Sequence, residues 1–232
     1  MLFNENEIMD LLLDTPEYAE CLERDDFIGL RKILKDAPWS DVVTVLVNAE
    51  IDVLQNMDEI PDEFFKDSEI TGINIPSNIK KIGNYAFKNC RELKTVTMSD
   101  SVKNTFNFIK TTCDDGSEQW AADVKDLNFE FGVGVFSECT ALECIRLSDN
   151  IQNLPPRTFK NCSNIKKLTL PLNIMNISKG AFSGCTQPGE WVTLRWTPEF
   201  EKRAAKGEIT LGYATVDLDW LLEHLRIRGK RR

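Results

Sequence analysis

The chain has 232 residues, 42% of them hydrophobic and 28% charged, with a formal net charge of −9. That supply of apolar side chain offsets the entropy of ordering and excludes a collagen-like, low-complexity or wholly disordered polymer. The acidic balance argues against general affinity for nucleic acid or an anionic membrane, and the longest uncharged apolar stretch, around Val42–Val47, is far short of the ~20 residues of a membrane-spanning helix.

Residues 1–58 hold 14 Asp/Glu and 4 Lys/Arg, a net of −10. The opening Met1-Leu2-Phe3-Asn4-Glu5 is acidic where a secretory signal is basic and then apolar, so a cytoplasmic location is expected. The alternative is a cell surface reached by a non-standard route. Ile8, Leu11 and Leu12, then Phe27, Leu30, Ile33 and Leu34, follow helical spacing, with Asp25 or Asp26 placed to cap the second stretch. Pro38 ends that stretch, and Ser40 opens a third carrying Val42, Val43, Leu46 and Val47. This region reads as an acidic α-helical cap, or as a helical module with a partner of its own.

A repeat follows. Phe87–Cys90, Phe136–Cys139, Phe159–Cys162 and Phe182–Cys185 share the pattern Phe-x-x-Cys, their cysteines 49, 23 and 23 residues apart. A period of 23 with a 26-residue insertion in one copy accounts for all three intervals. Ile82, Leu154 and Ile177 precede the Phe by five, and Val96/Met98, Ile145/Leu147 and Leu168/Leu170 follow the Cys by six and eight. A degenerate first copy places Phe64 in the Phe position and Asp67 in place of Cys, followed by Ile70, Ile73, Ile75 and Ile79. The alternating pairs predict one short strand per copy, halted by Pro76 and Pro171. One such coil cannot bury its own apolar face, whereas stacked coils can, which predicts a solenoid with a Phe spine and a Cys column inside.

Ile73-Asn74-Ile75-Pro76, the run Ile82-Gly83-Asn84-Tyr85-Ala86-Phe87-Lys88-Asn89-Cys90 and the run Ile177-Ser178-Lys179-Gly180-Ala181-Phe182-Ser183-Gly184-Cys185 resemble the leucine-rich repeats of the BspA-like, treponemal class. The resemblance covers about residues 59–196 less the insertion. It implies a short right-handed leucine-rich-repeat solenoid of about five ~23-residue coils, and with the α-helical amino- and carboxyl-terminal caps read from this chain's own spacing the expected fold class is α/β. Members of that class are often surface adhesins or interaction proteins, so the likeness implies binding rather than catalysis.

The insertion, near 103–128, carries Phe106, Phe108 and Trp120 beside Asp114, Asp115 and Glu118. A loop of this length suits a specific device, and its aromatics suit either interface anchors or local packing. Residues 197–232 read as a helical cap with a basic tail: Thr197-Pro198-Glu199 makes a helix start. Leu218, Leu221, Leu222 and Leu225 share one helix face, and Arg226, Arg228, Lys230, Arg231 and Arg232 follow. This tail is the sole nucleic-acid candidate, and with the acidic front it predicts self-association through opposite-charge ends.

No catalytic site is legible. The single histidine, His224, lies in the last apolar helix pattern, and neither a phosphate cradle nor a metal-ligand spacing occurs, so no cofactor and no metal are expected. Seven cysteines, an odd number, without an export signal predict reduced, inert thiols. The strand residues between the inward ones would face solvent as Gly72/Asn74, Thr95/Thr97, Cys144/Arg146, Lys167/Thr169 and Glu190/Val192. From these, Asn74, Thr95, Thr97, Arg146, Lys167 and Thr169, with Trp120 from the insertion, are the expected partner-binding residues. The reading is a non-enzymatic protein–protein interaction module, an adaptor or inhibitor whose partner is another protein. The rivals are a BspA-like cell-surface adhesin and an enzyme built on the helical ends.

Overall fold

A computed structural model describes residues 4–99, 108–112, 118–122, 129–169, 171, 176–185 and 210–211. Four helices come first: α1 (Glu5–Asp14), α2 (Pro16–Glu23), α3 (Phe27–Ile33) and α4 (Trp39–Asn48). A reciprocal capping box between Asn4 and Glu7 opens α1, and Asp26 accepts from the Gly29 N–H to open α3. The first predicted stretch falls within α1, and α2 is a further helix that the spacing did not single out; Pro16 at its start lacks an N–H and holds Thr15 extended, at φ −93° and ψ 110°, which separates it from α1.

The repeats follow as paired short strands. One parallel sheet runs in the order β10 (Lys167–Thr169), β8 (Cys144–Arg146), β4 (Thr95–Met98), β2 (Gly72–Ile75). A second parallel ladder uses two-residue strands, β1 (Glu59–Ile60), β3 (Lys81–Ile82) and β7 (Glu130–Phe131), then separately β9 (Asn153–Leu154) and β11 (Asn176–Ile177), each ending five residues ahead of a ring, with β12 (Thr210–Leu211) paired to β11. The expectation of one strand per copy is therefore corrected to two. The Ile82, Leu154 and Ile177 column, read as packing alone, also carries backbone pairing, and Phe131 is its member in the insertion-bearing copy. Within 197–232, read as helical, the described piece Thr210–Leu211 is a strand parallel to β11, which offers it an open edge. The helices expected there lie outside the described residues.

The second ladder breaks at a proline. Gly83 donates to Ile60 O, Gly132 to Ile82 O and Ser178 to Leu154 O, each at 2.8–2.9 Å. Pro155 holds the same place between β7 and β9 and has no N–H to give, so the ladder restarts one coil later. Gly132 stacks on Gly83 so closely that a Cβ would come within 2.5 Å of the Gly83 carbonyl carbon, which is why this column is small.

Inside, the rings of Phe65, Phe87, Phe136, Phe159 and Phe182 stack in sequence at centroid distances of 4.8–5.6 Å, with interplanar angles of 5–21°. Phe65, not Phe64, begins this spine, and Ser68, not Asp67, stands in the cysteine column, its hydroxyl 3.4 Å from the Cys90 sulfur. The cause is one residue fewer between Ser68 and β2 than between Cys90 and β4, so a strict 23-residue count lands one position early. Phe64 turns instead to the helices. Its ring meets Trp39 edge-on at 5.1 Å and Arg31 at 5.5 Å, while its carbonyl accepts the Trp39 Nε1–H at 2.7 Å. Thr44 Oγ1 accepts from Glu69 N, and the Asn78 side-chain amide reaches the carbonyls of Leu54, Gln55 and Met57. One hydrophobic core consequently runs from Ile8 in α1 to Cys185.

Candidate protein-binding face

The four-stranded ladder turns alternate residues inward and outward. Ile75, Val96, Met98, Ile145 and Leu168 are buried, while Asn74, Thr95, Thr97 and Arg146 are exposed and Cys144 is half-exposed. Backbone register joins positions of the four strands into two rows. Asn74, Thr97, Arg146 and Thr169 occupy one, and Gly72, Thr95, Cys144 and Lys167 the other. Six of the seven residues singled out in the sequence thus fall on one sheet. Trp120 does not join them by pairing. The insertion forms an antiparallel hairpin of its own, β5 (Phe108–Thr112) and β6 (Glu118–Ala122), in which Trp120 lies opposite Lys110. Phe106, Asp114, Asp115, the fifth pair Glu190/Val192, His224 and the basic tail lie outside the described residues.

The face is polar and sparsely charged. Thr95 and Thr97 offer hydroxyls that donate or accept, Asn74 an amide that does both, and Arg146 a guanidinium. Just ahead of the strands Lys166 pairs with Glu143 at 3.1 Å, an exposed bridge worth about 0–1 kcal/mol.

The interior chemistry is closed. Cys90, Cys139, Cys162 and Cys185 each donate a thiol hydrogen to the carbonyl of the ring residue one coil earlier, Phe65, Phe87, Phe136 and Phe159, at 2.9–3.0 Å. Burial pushes the Cys139 and Cys162 thiols well up from their ordinary value and Cys185 to about 12, so they stay protonated. Sequence spacing located this column but not its bonding; the signal was a small donor-bearing residue at a fixed step. Among the described residues no group of three or more Cys, His, Asp or Glu is placed to hold a metal ion, and no helix is long and apolar enough to cross a membrane.

The model of the BspA type leucine rich repeat region matches residues 58–188 in six copies, more than half of the chain. The chain belongs to the BspA-type leucine-rich repeat family. Comparison with curated proteins finds no match. Among solved structures the repeats are similar to a leucine rich cell surface protein from Faecalibacterium prausnitzii, at 18% identity and TM-score 0.27 over 68% of this chain and 55% of that one. They are also similar to a leucine-rich repeat protein from Eubacterium ventriosum, at 23% identity and TM-score 0.33 over 55% of this chain and 34% of that one. A third is the T. pallidum leucine rich repeat protein, at 19% identity and TM-score 0.36 over 64% of this chain and 75% of that one. The chain spans about half the length of the first and a third of the second.

Proposed function

We propose that this BspA-type chain is a non-enzymatic protein-interaction module that docks another protein on the outer face of the β2–β4–β8–β10 sheet. The helices α1–α4 act as the cap over its first coil. The observation that carries the reading is the register that aligns exposed Asn74, Thr97 and Arg146 in one row beside Thr95. Four strands ~4.8 Å apart make a strip about 14 Å wide, a flat polar surface suited to protein contact, whereas small ligands favour concave apolar pockets. Lys167 and Thr169 extend the two rows at the β10 edge, and Trp120 is an added anchor on the insertion hairpin. The reading concerns the surface and holds in either compartment.

The test is affinity capture from the native cell with cross-linking, comparing the parent chain with the Thr97→Glu/Arg146→Glu double variant, both positions being exposed. Loss of the specific partner with unchanged thermal unfolding is the expected result. Equal capture by both chains removes the face from consideration, and turnover of a small molecule by the purified chain ends the non-enzymatic reading.

A further inference from the structure

We infer that the outer face of the β2–β4–β8–β10 sheet takes an extended, acidic segment of its protein partner, with one carboxylate meeting Lys94 and another Arg146. The inference rests on the docking function proposed for this face and adds the chemistry of what docks. Charge, availability and spacing converge on it.

The four strands, with the residue ahead of each (Thr71, Lys94, Glu143 and Lys166), hold four basic residues and one acid. The basic ones are Lys94, Arg146, Lys166 and Lys167, and the acid is Glu143. The whole chain carries −9, so this sheet reverses the sign of the molecule. At physiological ionic strength distant carboxylates are screened beyond about 8 Å, and the nearby cations set what the face attracts.

The one acid of the group is already engaged, since Glu143 pairs with Lys166 at 3.1 Å. Lys94 stands in the same backbone row: its N–H donates to Thr71 O at 2.8 Å, and its carbonyl accepts the Glu143 N–H at 2.9 Å. Its side chain is exposed, and among the described residues no acid pairs with it. Arg146 is exposed as well.

Register fixes how far apart these cations stand. Arg146 pairs with Thr97, three residues beyond Lys94 on the neighbouring strand. Their backbones are thus about 10 Å apart along the strands and ~4.8 Å across. A segment with a carboxylate at every third residue spans ~9 Å between them in polyproline-II geometry, all on one side. The long Lys and Arg side chains take up the remainder. Thr95 and Thr97 are exposed between the two cations, with Asn74 beside Thr97 in register. Their hydroxyls and amide both donate and accept, which matches a segment whose own N–H and C=O groups are unpaired. A helix has spent those groups internally, so the face favours an extended partner.

Heteronuclear NMR titration of the full chain decides it, with a Glu-Ser-Thr repeat peptide and its Gln-Ser-Thr counterpart as probes. The backbone amides of Thr95, Thr97 and Arg146 are expected to shift with the Glu peptide. Its binding should be about fivefold or more tighter than that of the Gln peptide, in line with two exposed charge pairs, and should vanish at about 0.5 M salt. Lys94→Gln/Arg146→Gln is expected to weaken it by a similar factor. Lys32→Gln/Lys35→Gln removes the same charge from exposed positions on the helical side and should leave it unchanged. Thr97→Lys should tighten binding and Thr97→Glu weaken it. Equal binding of the two peptides, or shifts confined to other parts of the chain, overturns the inference. So does tighter binding of polyphosphate through the same amides. Capture of the native partner separates this from the docking function itself. If Thr97→Lys and Thr97→Glu abolish capture alike, the face docks a partner but not an acidic segment; if neither alters it, both readings fall.

Discussion

A thiol on each repeat supplies the bond that ties one coil to the last, because a cysteine is small enough for the crowded column and still carries a donor. The carbonyls of Phe65, Phe87, Phe136 and Phe159 in turn each serve two donors; Phe136 O takes the Cys139 N–H at 3.3 Å and the Cys162 thiol at 2.9 Å. Cys162→Ala removes one donor and leaves a small void, at an expected cost of about 1–2 kcal/mol in urea unfolding. Cys162→Ser keeps a donor, and Ser68 shows that a hydroxyl fits this column, so serine should cost less than alanine; the reverse ranking would deny the thiol bond its role. The raised thiols also make stability depend on pH. A folded pKa above the unfolded value means the folded state holds the proton more tightly. The contribution is therefore complete below about 9 and declines as pH climbs from there toward the Cys185 value of about 12. Urea midpoints measured between pH 8 and 10.5 should fall, and a flat profile would contradict the burial argument.

Elements show how local chemistry sets where pairing stops. The two halves of the second ladder part at Pro155 because the position that elsewhere donates is an imide. Pro155→Ser restores the N–H found at Ser178, and the amide it introduces is expected to exchange slowly with deuterium through a new bond to β7; rapid exchange would show that more than one missing donor separates the strands. At the other end α4 is fastened by Trp39, whose ring packs on Phe64 and whose N–H reaches the Phe64 carbonyl. Trp39→Phe keeps an aromatic ring but leaves that part-buried carbonyl without this donor. About 1–2 kcal/mol of unfolding free energy should be lost, read from a shift in urea midpoint at constant slope. An unchanged midpoint would mean that the helices are held by apolar contact alone.

For the whole molecule, the buried cluster runs without a break from Ile8 to Cys185, so the helices and the repeats share one core. The same stacking keeps Asn74, Thr97 and Arg146, on the sheet's outer side, out of the core. Asn74, Thr97 and Arg146 accordingly differ in kind while Val96, Met98 and Ile145 are all apolar. Capture that depends on Thr97 and Arg146 is the prediction at this scale.

Periodicity in the chain was sufficient for the repeat, the inward residues of its described strands and the exposure of Asn74, Thr95, Thr97 and Arg146, because a stacked coil imposes the same inside and outside on every copy and writes that rule at a fixed step. The four Phe-x-x-Cys pairs and the alternating strand residues needed no coordinates. What only the tertiary structure decided lies where the step changes or where backbone atoms act. One residue fewer before β2 moved the first ring from Phe64 to Phe65, and the two-residue ladder with its break at Pro155 is built of backbone bonds rather than of side-chain types. The thiol bonds and the docking of Trp39 on Phe64 join residues distant in the chain, and no local pattern encodes which carbonyl a distant donor will reach.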